Sequence, residues 1–147
     1  GAPNPTCNAD VDRCMLWSPA YGSASVGGVL EARATVFDDG ITNITLGSPD
    51  PTVDLIGEIG IGPDDANPVL APDLFVWFTA APEYAPQTGL PANEDMYGAW
   101  VIPDTSGFFD LAARFTPDNG LTWLYCDLDG SFNGYQVNKA GHVQVSP

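Results

Sequence analysis

Hydrophobic and polar residues alternate in several short segments of this chain, and Gly, Pro, Asp and Asn separate the segments. In the segment 30–37 the apolar side chains share one parity and the polar side chains share the other. The segment 108–115 repeats this pattern, with Asp110 and Arg114 opposite an apolar face. A period of two is typical of β-strands that bury one face. Apolar residues do not recur at helical spacing over the length of a helix, so the pattern predicts an all-β protein.

The number and spacing of these segments favour an antiparallel immunoglobulin-like β-sandwich of seven to eight strands. A jelly roll or a small barrel is the alternative. The predicted strands lie at 13–17, 30–37, 53–61, 74–79, 96–102, 108–115, 121–128 and 143–145. The segment 74–79 is apolar on both parities, which predicts a strand covered on both faces. A chain of 147 residues has the size of one domain. We therefore expect a Pro-rich extended arm at residues 1–11 and a single β-sandwich domain at residues 12–147.

The charge of the chain limits its partners and its location. It carries 19 acidic residues against four basic ones, for a formal net charge of -15. Such a charge repels phosphate backbones and anionic membrane surfaces, so nucleic acid is not expected as a partner. No apolar run is long enough to cross a bilayer, so no membrane insertion is expected. The beginning GAPNPTCNAD fits a mature secreted chain or a trimmed one, and we expect a secreted or cell-surface protein.

The three cysteines suggest one internal disulfide. Cys14 and Cys126 each share a parity with leucines that mark a buried face, so the two side chains are expected to point inward and to form a bridge. The alternatives are a pair of buried thiols or a local bridge between Cys7 and Cys14. A Cys14–Cys126 bridge would close a loop of more than 100 residues, for which the chain-entropy model gives about 4.7 kcal/mol of stabilisation. Cys7 would then remain as a free thiol or form an intermolecular bond.

One loop has the composition of a calcium site. Asp127 and Asp129 stand two residues apart, Gly130 follows at the bend, and Asn133 supplies a further oxygen. Calcium takes six to eight oxygen ligands, and acidic loops of this kind supply several of them. The same residues also form ordinary turns without a metal. Calcium is therefore a candidate ligand, and no cofactor is required by the sequence.

Two aromatic side chains beside Cys126 are candidates for a binding surface. If Cys126 points inward, Trp123 and Tyr125 point outward together on one face of the strand. A flat aromatic pair edged by acids and amides can stack on a sugar ring. The alternative is that a loop, the arm or another subunit covers the pair. The remaining tryptophans are expected in the core or between the sheet and a loop.

The sequence offers little support for catalysis or glycosylation. His142 is the single histidine, and no nucleophile motif accompanies it, so a histidine-based triad is not expected. We predict that the chain is not an enzyme. Asn43-Ile-Thr45 matches a glycosylation sequon by pattern alone.

A set of motifs resembles a known extracellular module. They are Cys14-x-Leu-Trp-x-Pro19, the run from Ala34 to Thr42, Ile59-Gly-Ile-Gly-Pro63, Tyr97, the stretch from Phe115 to Gly130, and Ala140-Gly141. In this order they look like an immunoglobulin-like or fibronectin-like module of secreted proteins in myxobacteria and their relatives. The resemblance implies a sandwich fold and an extracellular location, and it implies no particular reaction.

Two functions follow from these observations as hypotheses. The first is a non-catalytic extracellular subunit for surface structure, self-assembly or adhesion, with copies of itself or other surface proteins as partners. The second is a carbohydrate-binding module that stacks polysaccharide on Trp123 and Tyr125.

Overall fold

The structure, a computed structural model, describes residues 11, 13–37, 55–82, 95–129 and 135–147. Within these ranges it contains nine β-strands and two short 3₁₀ turns, Pro72–Leu74 and Val137–Lys139. The strands are β1 (Arg13–Ser18), β2 (Tyr21–Ser25), β3 (Leu30–Phe37), β4 (Ile56–Pro63), β5 (Val76–Pro82), β6 (Asp95–Val101), β7 (Gly107–Thr116), β8 (Leu124–Cys126) and β9 (Gly141–Ser146). The all-β prediction is confirmed for this part of the chain. Neither turn, nor any other helix among these residues, has the length and apolar character needed to cross a membrane.

The strands form one continuous hydrogen-bonded order, β1-β3-β6-β5-β4-β7-β9-β2. The strand β5 pairs with β4 along Val76–Ala80 and with β6 at Ala81 and Pro82. The strand β5 therefore hydrogen-bonds to both layers. One layer contains β1, β3 and β6, and the other contains β4. The strands β8 and β9 pair with different parts of the same edge of β7. Residues Gly107–Leu111 pair with β9, and residues Ala113–Phe115 pair with the short strand β8.

The sheet nearly closes on itself around a single core. The Leu16 backbone N–H in β1 donates to the carbonyl of Asp127, the residue after β8, and thereby connects the first strand to the second layer. Val11, which the sequence assigns to the arm, is also buried in this core. The largest fully buried side chains come from both layers and include Leu16, Val36, Ile59, Met96, Tyr97, Val101, Leu111, Phe115 and Val143.

Two features of the fold differ from the sequence-based expectation. The prediction of a purely antiparallel sandwich is wrong for β2 and β9, which pair in parallel from Tyr21 with His142 to Ser25 with Ser146. The prediction of seven to eight strands falls short of the nine present in the described residues, because β2 was not foreseen. The sequence of β2, Tyr-Gly-Ser-Ala-Ser, has no alternation of large apolar residues, so only its pairing with β9 reveals it as a strand.

The strand β5 is also less covered than its composition predicts. Val76 is 52% exposed, and Thr79 is exposed as well. The expectation that both faces are buried is therefore wrong. The apolar character of β5 comes partly from the aromatic ring of Trp77, which lies against the outer face of the neighbouring strand β4.

Candidate functional site

The strand β7 separates the core from a polar outer surface. On its inner side Leu111, Ala113 and Phe115 are fully buried against the other layer. Its outer side carries Asp110 and Arg114, the two polar residues that break the apolar pattern of the sequence. Each of these residues is the centre of a cluster. The Asp110 cluster lies towards β9 and β2, and the Arg114 cluster lies towards β5 and β8.

The Asp110 cluster begins with a row of three residues across neighbouring strands. Asp110 of β7 pairs with His142 of β9, and His142 pairs with Tyr21 of β2. The Asp110 Oδ1 atom lies 3.0 Å from His142 Nδ1. The Tyr21 ring stacks on the imidazole with 5.5 Å between ring centroids. The acid and the imidazole, 32 residues apart in sequence, are therefore held together by strand register.

The turn after β4 adds a second carboxylate. Gly62 of β4 pairs with Asp110, so the residues after β4 pass directly beside this carboxylate. Asp65 adopts a left-handed φ of 65°, a conformation that Asp tolerates better than most residues, and its N–H donates to Asp110 Oδ2 at 2.9 Å. The Asp64 carboxyl lies beside that of Asp110 and raises its pKa. One ligand atom from each of Asp64, Asp110 and His142 lies within 4.8 Å of the other two.

Burial dominates the electrostatics of this cluster. Asp110 is 0% exposed, and desolvation is the largest effect that raises the pKa of its carboxyl, from 3.8 to about 6. The Asp64 carboxyl raises this pKa further, whereas the Asp65 N–H and His142 lower it. The Tyr135 hydroxyl is buried and has no hydrogen-bond partner among the described residues. Desolvation and the charges of Asp110 and Asp127 raise the pKa of this hydroxyl. The site thus concentrates negative charge in a poorly hydrated place.

A pocket of about 540 Å³ opens at this cluster. Ligand pockets in proteins have volumes of about 300–1,000 Å³, so the pocket is large enough for a small molecule or one unit of a polymer. Its lining combines aromatic, acidic and amide side chains and consists of Tyr21, Gly22, Asp64, Asp65, Phe108, Phe109, His142, Val143 and Gln144.

The Arg114 cluster is a stack of side chains on the same outer face. The Arg114 guanidinium lies 4.0 Å from the ring centroid of Trp77 and 3.9 Å from that of Trp123. It donates to Glu58 Oε1 from Nε at 2.9 Å and from Nη2 at 2.6 Å. Its Nη1 donates to the Tyr125 hydroxyl at 3.3 Å. Cation–π contacts and a charge-assisted hydrogen-bond pair together fix this arginine in one position.

A glycine provides the space for this stack. A Cβ atom built on Gly60 of β4 would lie 2.6 Å from the Trp77 ring, so only glycine lets the indole lie flat on the strand. The Trp77 Nε1–H donates to the Pro72 carbonyl at 3.1 Å and holds the other edge of the ring. The indole of Trp77 is thereby placed to receive Arg114.

The structure places Trp123 and Tyr125 within the Arg114 cluster. Both side chains are half-buried, and one face of the Trp123 ring lies against Arg114. That ring face is not available for stacking on a sugar. Of the other tryptophans, Trp77 lies in the same stack, whereas Trp100 is 67% exposed. The expectation that Trp100 lies in the core or under a loop is wrong.

The predicted calcium loop lies partly within the described residues. Asp127 is 1% exposed, and burial raises the pKa of its carboxyl. Its Oδ1 accepts the Asp129 N–H at 2.9 Å, and its Oδ2 accepts the Gln136 N–H at 2.7 Å. Both oxygens therefore already serve the local backbone, as in a turn. Asn133 lies outside the described residues.

The structure joins Cys14 to Cys126 by a disulfide, the pair that strand parity predicts. Their Cα atoms lie 5.6 Å apart, within the usual range for a disulfide. The bridge ties β1 to β8 and encloses the strands between them. Cys7 and Asn43 lie outside the described residues, so the predictions for them stay untested.

Sequence pattern does not reveal the Asp110 cluster as a site. It singles out neither Asp64 nor the pairing of Asp110 with His142, and it presents His142 only as a histidine without a nucleophile motif. In the sequence, the cluster is indicated only by an aspartate on the outer side of a predicted strand and by the single histidine. The register of β7 with β9 brings them together, and sequence pattern does not reveal register.

Comparisons with known proteins assign no family to the chain. No family model matches it, and no curated protein matches it. Among solved structures, it is similar to the CARDB domain of a Pyrococcus furiosus protein, which was solved in complex with di-metal ions. The two chains are 12% identical with a TM-score of 0.36, over 94% of this chain and 93% of the other. A likeness at this level does not indicate a ligand or an activity for this chain. The resemblance to secreted myxobacterial modules stays a prediction.

Proposed function

We propose that this chain is a non-catalytic interaction module of a secreted or cell-surface protein and that it binds a divalent cation through Asp64, Asp110 and His142. The observation that carries the proposal is the convergence of their three ligand atoms within 4.8 Å at a pocket. Two neighbouring carboxylates can be neutralised by a proton or by a cation. A cation would compensate the Asp110 charge, which burial and the neighbouring Asp64 carboxyl disfavour and which therefore has a raised pKa.

The donor set favours a transition metal over calcium. Imidazole nitrogen is a good ligand for zinc, copper, iron and nickel, whereas calcium prefers oxygen ligands alone. His142 already offers its Nδ1 atom to the cluster, since this atom lies 3.0 Å from Asp110. Zinc is the simplest ion to test, because it accepts both nitrogen and carboxylate ligands and has no redox chemistry.

Three protein ligands leave coordination positions open towards the pocket. An adhesion or assembly partner can fill such positions with its own oxygen or nitrogen donors, so that the cation joins two molecules. A second copy of this chain or another surface protein is the expected partner. The Cys14–Cys126 disulfide supports an oxidising compartment, where such contacts between secreted proteins form.

Isothermal titration of the chelator-treated protein with zinc, manganese and calcium tests the cation site. We expect one zinc ion per chain, and we expect Asp110→Asn and His142→Gln each to weaken binding by at least about tenfold, as is usual when one ligand is lost. Asp104→Asn, which removes an exposed acid elsewhere, is the matched control and should leave binding unchanged. Zinc binding that survives both ligand substitutions would refute the site.

Sedimentation velocity tests the role in assembly. If the cation joins copies of the chain, zinc should increase the average mass of the wild-type protein and leave Asp110→Asn unchanged. Zinc binding without any change in mass would retain the site but would assign the open coordination positions to a different partner.

A further inference from the structure

Two exposed aromatic rings line the pocket beside the Asp110 cluster. Tyr21 is 83% exposed and Phe108 is 68% exposed, although both line the pocket. One face of the Tyr21 ring rests on His142, which fixes the orientation of the ring. Large aromatic side chains in contact with water at a concave surface are a common sign of a binding site.

The strand register sets the distance between the two rings. Phe108 of β7 pairs with Gln144 of β9, and Gln144 lies two residues beyond His142, which pairs with Tyr21. Phe108 and Tyr21 are thus two strands apart and two residues apart along the strands. With strand spacing of about 4.8 Å and a rise of about 3.3 Å per residue, their Cα atoms are roughly 12 Å apart. His142 of β9 lies between Tyr21 and β7 and covers the Tyr21 ring face on that side. At this separation a six-membered sugar ring that stacks on Phe108 reaches the edge and the hydroxyl group of Tyr21.

We propose that this pocket binds a neutral pyranose unit of a polysaccharide, stacked on Phe108 and in contact with the edge of Tyr21. The apolar C–H face of a pyranose stacks on an aromatic ring, while its hydroxyl groups need hydrogen-bond partners around the edge. Gln144 lies directly beside Phe108 on the sheet and offers an amide donor and acceptor. Asp65, exposed at the rim, offers a carboxylate acceptor.

The charge of the pocket selects among sugars. Asp64 and Asp65 line the pocket, and the whole chain carries a net charge of -15. A uronic-acid polymer or a sulfated polymer would bring further negative charge to these carboxylates and would be repelled. Neutral polysaccharides are therefore the expected ligands.

This site shares its pocket with the proposed cation site but depends on different side chains. The sugar is held by Tyr21, Phe108 and Gln144, whereas the cation is held by His142 and the carboxylates of Asp64 and Asp110. The two proposals can therefore fail separately. A chelator should abolish cation binding and leave stacking on the rings intact.

Native affinity electrophoresis tests the sugar site with named probes. Gels containing galactomannan or mixed-linkage β-glucan represent neutral polymers, and a gel containing polygalacturonate represents an anionic one. We expect at least one neutral polymer, and not polygalacturonate, to retard the protein both with and without chelator. Phe108→Ala should lower the apparent affinity at least about tenfold, because it removes the ring on which the sugar stacks. Tyr21→Ala should lower it by a smaller factor, because it removes a contact at the edge of the sugar.

The controls separate this pocket from other aromatic surfaces. Phe108→Tyr keeps a ring and should retain retardation. Trp100→Ala removes an equally exposed ring from β6 in the other layer and should have no effect. Because the substituted side chains are exposed, melting temperatures close to that of the wild type should show that the variants are folded.

Loss of retardation in Trp123→Ala but not in Phe108→Ala would move the site to the Arg114 cluster and overturn the proposal. Unretarded migration in both neutral gels would also overturn it.

Discussion

Replacing Asp110 with asparagine should change how the stability of the protein depends on pH. Asparagine keeps a carbonyl oxygen that can accept the Asp65 N–H, but it cannot ionise. In the wild-type protein the pKa of Asp110 rises from 3.8 to about 6 on folding, mainly because the carboxyl is fully buried. The folded state therefore holds the proton more tightly than the unfolded state. This contribution to stability is fully present well below pH 4 and is lost as the pH rises through 6.

The size of the effect follows from the pKa difference. A change of one pKa unit corresponds to about 1.4 kcal/mol, so a rise from 3.8 to about 6 corresponds to about 3 kcal/mol of unfolding free energy. Asp110→Asn removes this term at every pH. Because part of the change occurs below pH 4, the variant should gain about 2.5 kcal/mol relative to the wild type between pH 4 and pH 7, whatever its stability at pH 4.

Urea unfolding at intervals between pH 4 and pH 7, with chelator present, measures this difference. Subtracting the two curves cancels the contributions of acidic residues remote from Asp110, and the difference reports Asp110 together with its interactions with Asp64 and His142. The difference should change mostly between pH 4 and 6.5 and should be flat above. Parallel curves for the wild type and the variant would refute the assignment of a buried, poorly hydrated carboxyl at this position. Zinc added at pH 7 should stabilise the wild type and not the variant.

Three further substitutions test the packing around the sites by thermal or urea unfolding. Arg114→Ala should cost about 2–4 kcal/mol, because it removes two cation–π contacts and a largely buried ion pair, and Arg114→Lys should recover only part of this loss. Replacing both Cys14 and Cys126 with alanine should cost up to about 4.7 kcal/mol, and the same loss should follow reduction of the wild type. Gly60→Ala should cost about 1–3 kcal/mol, because its Cβ would lie 2.6 Å from the Trp77 ring and would displace it. An unchanged midpoint in any of the three would contradict the contact concerned.

The alternation of apolar and polar residues predicts the strands that bury one face. The strand β3 has the bounds that its alternation predicts, 30–37, and β7 extends the predicted 108–115 by one residue at each end. The strand β2 could not be predicted, because its small and polar residues show no alternation and its pairing partner lies more than 100 residues away. Its parallel pairing with β9 is a property of the whole fold.

The candidate site depends on the same long-range information. Tyr125 lies in β8 and Trp123 lies just before it, because the predicted strand 121–128 is reduced to Leu124–Cys126. Both rings lie beside Arg114 on the outer side of the sheet, and sequence pattern does not indicate that Arg114 covers one of them. Arg114 faces Tyr125 because β7 pairs with β8 in a particular register. Asp110 meets His142 for the same reason on the other half of β7. Residue type indicates what a side chain can do, and register decides which partner it meets.

The Cys14–Cys126 bond also determines how the domain responds to tension. The two cysteines are 112 residues apart, and a chain of that length would extend by roughly 380 Å at about 3.4 Å per residue. Force applied to the chain before Cys14 and after Cys126 passes through the covalent bond and does not stretch the strands enclosed between them. Tyr21, Asp64 and Asp110 lie inside this loop, whereas the strand β9, which supplies His142 and Gln144 to the pocket, follows Cys126. Mechanical load from the C-terminal side therefore reaches β9 first. Tension would withdraw His142 and Gln144 from the pocket while the bond still holds the other strands, so the pocket would open before the rest of the domain unfolds.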